Sequence, residues 1–385
     1  MDHKTIFPYL VGMKSAILFI GFMSVIMSLK AQQEYYLISG TYTSGKSKGI
    51  YVHRFNTVTG KAQEVSYAEI SNPSYLCTSP DGKFVYAVQE NGNGEGGGQV
   101  AAFSFDKITG KLEHLNTQPT GGEHPCYVAI DQTGKWVAVA NYSGGNLSVF
   151  PVNADGSLGV ATDTKQHSGS GADKERQEKP HVHSTVVSPD NKKIFASDLG
   201  IDKIMGYDLD FATGKLTLSS QSSVDVTPGG GPRHLTFDPK GKFGYLIEEL
   251  SGHITVYKWK SGKLKEIQRV SSLAPGQKEF AGSADIRVSP DGRYLYASNR
   301  ANYNNIAIFR IDPKKGTLSL RGHQPTLGDG PRNFNFDPSG KFLLVANQNS
   351  DEIVVFSYNA GTGALTDTGN RITVGKPVCI GWIQP

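Results

Sequence analysis

The stretches GPRHLTFDPKGKFGYLIEEL (231–250) and GPRNFNFDPSGKFLLVANQN (330–349) decide the fold of this chain. Both open with Gly-Pro-Arg, continue into Phe-Asp-Pro-x-Gly-Lys-Phe and contain an apolar run. Pro and Asp ahead of Gly suit a tight turn with a positive φ, so each stretch predicts two strands joined by a hairpin turn. They differ at the end, where one reads Glu248-Glu249 and the other Asn-Gln. Two stretches that share their turn and strands but differ at the end of the second strand predict a repeat protein in which these strand ends form a site.

Two turn patterns recur along the whole chain. The first, a turn followed by an apolar strand, occurs six times, at Ser79, Asp131, Ser188, Asp238, Ser289 and Asp337. The second, a Gly-Lys-Leu type of turn, occurs seven times at intervals of 46 to 58 residues, at Gly60, Gly110, Gly156, Gly214, Gly262, Gly316 and Gly363. Seven units of about 50 residues predict an all-β fold, a single seven-bladed β-propeller with four antiparallel strands per blade.

The missing seventh copy of the first turn has a structural explanation. The chain ends with GKPVCIGWIQP from Gly375, which resembles HPCYVAI at His124 in its spacing of Pro and apolar residues. We expect this C-terminal segment to supply the inner strand of the blade whose other strands begin at Tyr35. Joining the two termini in one sheet closes the ring and leaves no free inner edge. One cooperative domain over residues 32–385 is therefore expected.

The N-terminal residues form a different kind of sequence. The run Ser15–Leu29 is apolar for fifteen residues, with Lys14 before it and Ala31 after it. That length is typical of the core of a signal peptide and is short for a membrane span. We therefore predict a signal peptide over residues 1–31, export to the periplasm of a bacterium, and no stable membrane insertion after cleavage. An uncleaved membrane anchor is the alternative.

Composition limits the classes of partner and cofactor. The net charge is +4 over 385 residues and no Lys/Arg block stands out, which argues against nucleic-acid binding. The three cysteines, Cys77, Cys126 and Cys379, are an odd and sparse set, so they predict buried apolar residues rather than a disulfide framework. Neither zinc spacing nor a calcium-type Asp/Asn cluster occurs, so no metal cofactor is expected. The oligomeric state stays open.

Propeller geometry predicts where a site would lie. Both turn families lie at the bottom, whereas the start of every inner strand and the end of every second strand lie at the top, beside the central channel. Convergent polar groups at a cavity mouth are the usual form of a binding site. The loops from Asp163 and Ser271 also reach the top, as walls of the site or as solvated linkers. The polar residues at these top positions are His124, Asn141, His183, Asp198, Arg233, His234, Glu249, Asp285, Arg300, Arg332, Asn335 and Gln348.

Several motifs resemble one family over about Tyr35 to Pro385. They are HVHSTVVSPD (181–190), GPRHLTFDP with its downstream EEL, ADIRVSPDGRYLYASNR (284–300) and PRNFNFDPSGKFLLVANQ (331–348). They look like the seven-bladed propeller lactonase family, which includes bacterial 6-phosphogluconolactonase and, more distantly, the fungal carboxy-muconate cyclase. The resemblance implies a catalytic set whose members here are His183, Arg233, Glu249 and Arg300. The other eight top residues are expected to bind substrate. For His124, Asp198, Asp285, Arg332 and Gln348 the alternative is that they brace a strand end.

Strand alternation selects between the two adjacent glutamates. Where relatives often read Asn-Glu-Leu, this chain has Glu248-Glu249-Leu250. Successive side chains of a strand point to opposite faces, so Glu248 should face away from the site and Glu249 toward it. The alternative for Arg233 and Glu249 is a cross-strand ion pair. For His183 the alternative is a channel-lining histidine bound to backbone.

The implied reaction is hydrolysis of a sugar lactone, phosphorylated or not. It needs a base that activates water and a donor at the carbonyl oxygen. His183 or Glu249 could be the base, and Arg233 and Arg300 could stabilise the oxyanion or hold an acidic substituent. No Ser lies in a GxSxG context, which argues against a covalent Ser mechanism. The alternatives are a muconate-type cycloisomerase and a non-catalytic binding propeller.

Overall fold

The computed structural model describes residues 34–277 and 280–385, so the predicted signal peptide lies outside the described residues. The described chain forms 28 strands in seven four-stranded antiparallel sheets, which confirms the predicted seven-bladed propeller. Two short 3₁₀ helices occur, at Asn93–Glu95 and Leu199–Ile201. Within these ranges, no helix has the length and apolar character needed to cross a bilayer.

The strands are numbered in chain order. They are β1 (Glu34–Thr41), β2 (Gly49–Asn56), β3 (Ala62–Glu69), β4 (Leu76–Thr78), β5 (Phe84–Gln89), β6 (Gln99–Asp106), β7 (Lys111–Pro119), β8 (Pro125–Ile130), β9 (Trp136–Asn141), β10 (Asn146–Pro151), β11 (Asp163–Gln166), β12 (Val182–Val187), β13 (Lys193–Asp198), β14 (Lys203–Leu209), β15 (Leu216–Asp225), β16 (Pro232–Phe237), β17 (Phe243–Glu248), β18 (His253–Lys260), β19 (Lys263–Ser271), β20 (Ile286–Val288), β21 (Tyr294–Asn299), β22 (Asn305–Ile311), β23 (Leu318–Pro325), β24 (Pro331–Phe336), β25 (Phe342–Asn347), β26 (Glu352–Tyr358), β27 (Leu365–Thr373) and β28 (Pro377–Ile383).

The ring closes through the two ends of the chain. Blade 1 has the order β28-β1-β2-β3 from the channel outward, and blades 2 to 7 each use four consecutive strands from β4 to β27. Strand β28 pairs antiparallel with β1, with Ile38 opposite Gly381 and Tyr36 opposite Ile383. The predicted C-terminal closure is therefore confirmed. It also explains the six copies of the first turn, because the two inner strands of blade 1 are not joined by a hairpin.

Turn chemistry accounts for the first repeat. In blade 5, the Asp238 carboxylate accepts the backbone N–H groups of Lys242 and Phe243 at 2.6 and 2.7 Å. Gly241 follows with a φ of +61°, which a residue with a Cβ adopts only with strain. Asp337 binds the amides of Lys341 and Phe342 in the same way. Each turn joins the innermost strand of a blade to its second strand at the bottom.

The second repeat, the Gly-Lys-Leu type of turn, packs each blade against the preceding blade. Gly214 lies in the β14–β15 turn with a φ of +69°, and a Cβ built there would lie 2.1 Å from the Trp136 ring of β9. Gly60 in blade 1 approaches Phe342 of blade 7 in the same manner, at 2.9 Å across the closure. Trp136 and Phe342 are the aromatic residues that follow the Gly-Lys pair of the first turn. The two sequence motifs therefore meet at these junctions, because a glycine is needed where an aromatic ring packs against the next turn.

The hydrophobic core lies between the blades. Between blades 5 and 6, for example, the buried side chains include Tyr245, Ile254, Leu295 and Phe309. Removing a buried aromatic of this kind costs about 3–5 kcal/mol. The three cysteines are free thiols, as predicted; Cys126 and Cys379 are buried as expected, whereas Cys77 is only partly buried. Packing shared by neighbouring blades holds the top loops in fixed positions around the channel.

Candidate active site

One backbone hydrogen bond sets the geometry of the top rim. The residue after the second strand of a blade, here called its rim residue, donates its N–H to a carbonyl before the innermost strand. Glu249 donates to Gly231 at 2.7 Å, and Gln348 donates to Gly330 at 2.9 Å. The same bond occurs in every blade except blade 6. The rim residues of blades 1 to 7 are Tyr42, Glu90, Tyr142, Leu199, Glu249, Arg300 and Gln348.

A bulge in the innermost strand aims a second side chain at the same mouth. The register of β16 against β17 skips Arg233, between Pro232 and His234. Strands β12 and β24 skip His183 and Arg332 in the same way. A β-bulge leaves one residue unpaired and redirects its side chain. The bulges therefore bring these cationic or ionisable residues toward the rim residues.

Glu249 is the centre of the resulting cluster. Its Oε2 atom accepts a hydrogen bond from Arg233 Nε at 2.8 Å and lies 3.3 Å from an Nη of Arg300. His183 Nε2 lies 3.7 Å from the same oxygen. The other oxygen, Oε1, accepts a hydrogen bond from Arg176 at 2.9 Å. Four positively charged or ionisable side chains thus surround one carboxylate.

The cluster fixes the charge of Glu249. Burial alone would raise the pKa of this carboxyl, but Arg300, Arg233, His183 and Arg176 together hold it well below its usual range. Glu249 is therefore a carboxylate throughout the neutral range. Burial, followed by the charge of Arg233, lowers the pKa of His183 well below 6.5, so its imidazole is neutral. A neutral imidazole leaves the guanidinium groups as the positive charges beside Glu249.

An open cleft of about 400 Å³ lies over this cluster. Five charged side chains line it, namely Arg176, Glu249, Arg300, Asp329 and Arg332, and the remaining lining residues are Phe280, Gly282, Ala301, Gly330, Gln348 and Asn349. Of the predicted catalytic residues, Glu249 and Arg300 line the cleft. The other two, His183 and Arg233, lie beneath it with side chains 5% and 2% exposed. The four residues come together, but at two depths.

The lower layer continues beneath Arg233. An Nη of Arg233 donates to the Ala284 carbonyl at 2.7 Å and to His234 Nε2 at 3.1 Å. His234 Nδ1 in turn donates to Asp285 at 2.9 Å. Burial and the charge of Arg233 lower the pKa of His234 to about 4, although Asp285 opposes that shift, so the neutral ring accepts from Arg233 and donates to Asp285. His234 and Asp285 therefore orient Arg233 from below.

The sequence model of the family described as "Lactonase, 7-bladed beta-propeller" matches residues 36–382. The chain belongs to this family. It is 41% identical over 339 residues to a 6-phosphogluconolactonase of Formosa agariphila, covering 87% of this chain and 96% of the relative. It is 37% identical over 348 residues to a 6-phosphogluconolactonase of Bacillus subtilis, covering 90% and 97%. The solved periplasmic gluconolactonase of Pseudomonas aeruginosa is similar with a TM-score of 0.87 and 37% identity, covering 91% of this chain and all of that one. The family resemblance seen in the sequence is thereby confirmed.

Of the eight residues predicted to bind substrate in this propeller lactonase, only Arg332 and Gln348 line the cleft. His234 and Asp285 lie in the lower layer. The structure places the other four elsewhere: His124, Asn141, Asp198 and Asn335. Asn335 donates to the Ile380 carbonyl at 3.0 Å, and so ties blade 7 to blade 1.

The other three residues, His124, Asn141 and Asp198, lie one or two positions along the chain from a rim residue or a bulge residue. Asn141 and Asp198 are the last residues of their strands, one position before the rim residues Tyr142 and Leu199. Asn141 Nδ2 binds the Thr120 carbonyl, and Asp198 accepts the His181 backbone N–H. Glu248 occupies the equivalent position in blade 5 and pairs with Arg269 at 2.6 Å, facing away from Glu249. His124 precedes the bulge residue of its blade by two positions and has a φ of +50°.

Sequence reasoning did not identify Arg176 as a site residue. It comes from the loop after β11, which was expected to be a wall of the site or a solvated linker. Gln177 anchors this loop, because its amide donates to the Leu199 carbonyl and to Asp202, both at 2.7 Å. The Arg176 side chain is 38% exposed and also donates to Tyr142 Oη at 3.3 Å. The loop from Ser271 contributes Phe280 and Gly282 to the opposite side. Neither contact had a signal in the local sequence.

Among the described residues, no group of three or more His, Cys, Asp or Glu side chains is placed to hold a metal ion.

Proposed function

We propose that this cleft hydrolyses a sugar lactone to the open-chain acid. The observation that carries the proposal is Glu249, which is ionised at neutral pH at the floor of the cleft, with the guanidinium of Arg300 beside it. A base next to a fixed positive charge is the pairing that ester hydrolysis needs. Curated relatives named 6-phosphogluconolactonase at 37–41% identity support the same reaction class.

Glu249 is assigned as the base because it reaches the cleft and His183 does not. It takes a proton from a water molecule as the water oxygen attacks the lactone carbonyl carbon. The ring C–O bond then breaks, and the ring oxygen takes up the proton from Glu249 as it leaves. The products are one carboxylic acid and one hydroxyl group on the same chain, and Glu249 is regenerated. His183 and Arg233 hold Glu249 in place from beneath.

Arg300 is assigned to the carbonyl oxygen, where negative charge develops. Its Nε donates to the Gly282 carbonyl at 2.6 Å, which fixes the plane of the guanidinium. Burial lowers the pKa of Arg300 to about 9, with Glu249 opposing and Arg233 and Arg332 adding to that shift, so the group is still charged at neutral pH. A charge held in place before the reaction needs no reorganisation when the oxyanion forms.

We further infer that the protein is exported and acts on an unphosphorylated lactone. The apolar run Ser15–Leu29 ahead of Ala31 has the length of a signal-peptide core. The relative from Pseudomonas aeruginosa is described as a periplasmic gluconolactonase. A phosphorylated sugar lactone is a cytoplasmic metabolite, so export would separate the enzyme from it. Glucono-δ-lactone is the simplest substrate that fits both inferences.

The test is acid release by the purified protein with glucono-δ-lactone and, separately, its 6-phosphate, after correction for spontaneous hydrolysis. Activity that is lost in Glu249→Gln and in Arg300→Ala would support the proposal. Glu248→Gln is the matched control, because it removes the adjacent buried carboxylate, which faces Arg269 instead of the cleft. Absence of activity on both lactones would reject hydrolysis of this substrate class.

A further inference from the structure

A second carboxylate occupies the rim, in blade 2. Glu90 is the rim residue there, equivalent to Glu249 in blade 5, and its N–H donates to the Asn72 carbonyl at 3.0 Å. Its Oε2 atom accepts hydrogen bonds from the hydroxyl groups of Tyr42, at 2.9 Å, and Ser74. Its Oε1 atom accepts none from a described residue and is not among the buried unpaired atoms. Glu90 therefore keeps one oxygen open to a ligand.

An open cation lies beside this carboxylate. The Arg332 guanidinium lies 5.4 Å from the centre of the Tyr42 ring, whose hydroxyl binds Glu90. Arg332 also lines the cleft with Glu249 and Arg300. Burial alone would lower the pKa of Arg332, but Tyr42, Glu90 and Glu249 raise it above its usual value, so both carboxylates act on this one cation. Within residues 34–277 and 280–385, its N–H groups donate to no protein acceptor.

The two rim carboxylates have different surroundings. Glu249 has hydrogen-bonded or ionic contacts on both oxygens, with Arg176, Arg233 and Arg300. Among the described residues, neutral hydroxyl groups alone donate to Glu90, and they do so on one oxygen. Glu249 is thus a carboxylate held by fixed cations. Glu90 instead retains an unused acceptor atom and Arg332 retains unused donors, and both residues contact the Tyr42 side chain.

That pattern matches neighbouring hydroxyl groups of a sugar ring. Each hydroxyl donates one hydrogen bond and accepts others, so a carboxylate can take its proton while a guanidinium donates to its oxygen. A phosphate bound close to Arg332 and Glu90 would meet the negative charge of Glu90. We propose that Glu90 and Arg332 bind the hydroxyl groups of an uncharged polyhydroxylated lactone. This subsite rests on the proposed lactonase function and gives it a specificity.

Binding of stable lactams isolates this subsite from catalysis. Glucono-δ-lactam and δ-valerolactam share the six-membered ring and carbonyl, but only the first carries hydroxyl groups, and neither is a lactone ester. Calorimetric titration of the full chain is expected to show tighter binding of glucono-δ-lactam. Glu90→Gln is expected to weaken that ligand about tenfold, because a charged acceptor is lost, and to change δ-valerolactam less than about twofold.

Two further variants separate recognition from structure. Arg332→Gln is expected to produce the same selective loss, because it removes the guanidinium charge of the pair. Glu123 lies in the neighbouring top loop, where its side chain accepts the Asn93 backbone N–H. Glu123→Gln is expected to leave the affinities for both lactams unchanged. Melting temperatures show whether each variant is folded.

The outcomes are distinct from those of the hydrolysis test. Equal weakening of both lactams by Glu90→Gln, no weakening of glucono-δ-lactam, or no binding of either lactam by the wild type would overturn the subsite. Selective weakening without any lactone hydrolysis would uphold the subsite and reject the proposed reaction. A 6-phosphate ester of the lactam that binds more tightly than the uncharged lactam would also contradict it, since Glu90 should repel the phosphate.

Discussion

Replacing Arg176 by Gln should move the acid limb of the pH–rate profile upward. Arg176 lies 2.9 Å from Glu249 Oε1 and supplies one of the three guanidinium charges that lower the pKa of Glu249. Two charges at this separation interact by about 6 kcal/mol at an effective dielectric constant of 20. The Arg176 side chain is 38% exposed, so solvent screening reduces the effect to about 1 kcal/mol, or about 0.7 pH unit. Removing a positive charge destabilises the carboxylate, so the pKa of Glu249 rises.

The assay is kcat/KM for glucono-δ-lactone between pH 3 and pH 8, because that ratio reports ionisations of the free enzyme. The acid limb, where Glu249 becomes protonated, should lie at higher pH in Arg176→Gln than in the wild type. Arg176→Lys retains the charge and should restore most of the limb. An acid limb that stays in place, or moves to lower pH, would refute the electrostatic role of Arg176, whatever the change in the maximal rate.

Three further predictions concern the fold. The free energy of unfolding should fall by about 2 kcal/mol between pH 6.5 and pH 5. The ring of His234 titrates near 4 when folded and near 6.5 when unfolded, so the unfolded chain binds more protons. Thermal melts at the two pH values should show that His234→Gln loses this contribution. Gly214→Ala should cost more than about 2 kcal/mol in urea unfolding, because its Cβ would meet Trp136, whereas Gly94→Ala, with nothing within 4 Å, should be nearly neutral. Deleting Pro377–Ile383 should abolish cooperative unfolding, because β1 would lose its partner at the channel, and a cooperative melt of that deletion would contradict ring closure.

The fold could be predicted because each repeated turn requires particular residues. Asp238 and Gly241 are required by one tight turn, and Gly214 is required where Trp136 packs against the next blade. Such requirements leave residues at fixed spacings, so counting them counts the blades. The mismatch between six copies of the first turn and seven of the second then pointed to the shared blade, with β28 as its innermost strand.

The site could be predicted only in part, because bulges and loops decide it. Arg233 and Glu249 were placed together by strand pairing, and they are in contact. The same reasoning placed Asn141 and Asp198 in the site, although both side chains bind backbone groups of the top loops instead. A displacement of one residue reverses the face of a side chain, and single-sequence patterns do not show where a bulge falls. Arg176 reaches Glu249 from a loop whose path no local pattern specifies.

The rate of glucono-δ-lactone hydrolysis by Glu249→Gln, relative to the wild type and Glu248→Gln, tests the central claim most directly. We predict that kcat/KM falls at least about a hundredfold in Glu249→Gln, because the base that activates water is lost. In Glu248→Gln we expect a rate within about threefold of the wild type, provided that thermal melts show both variants to be folded. Comparable rates in the wild type and Glu249→Gln would contradict the assignment of this cleft as the site of lactone hydrolysis.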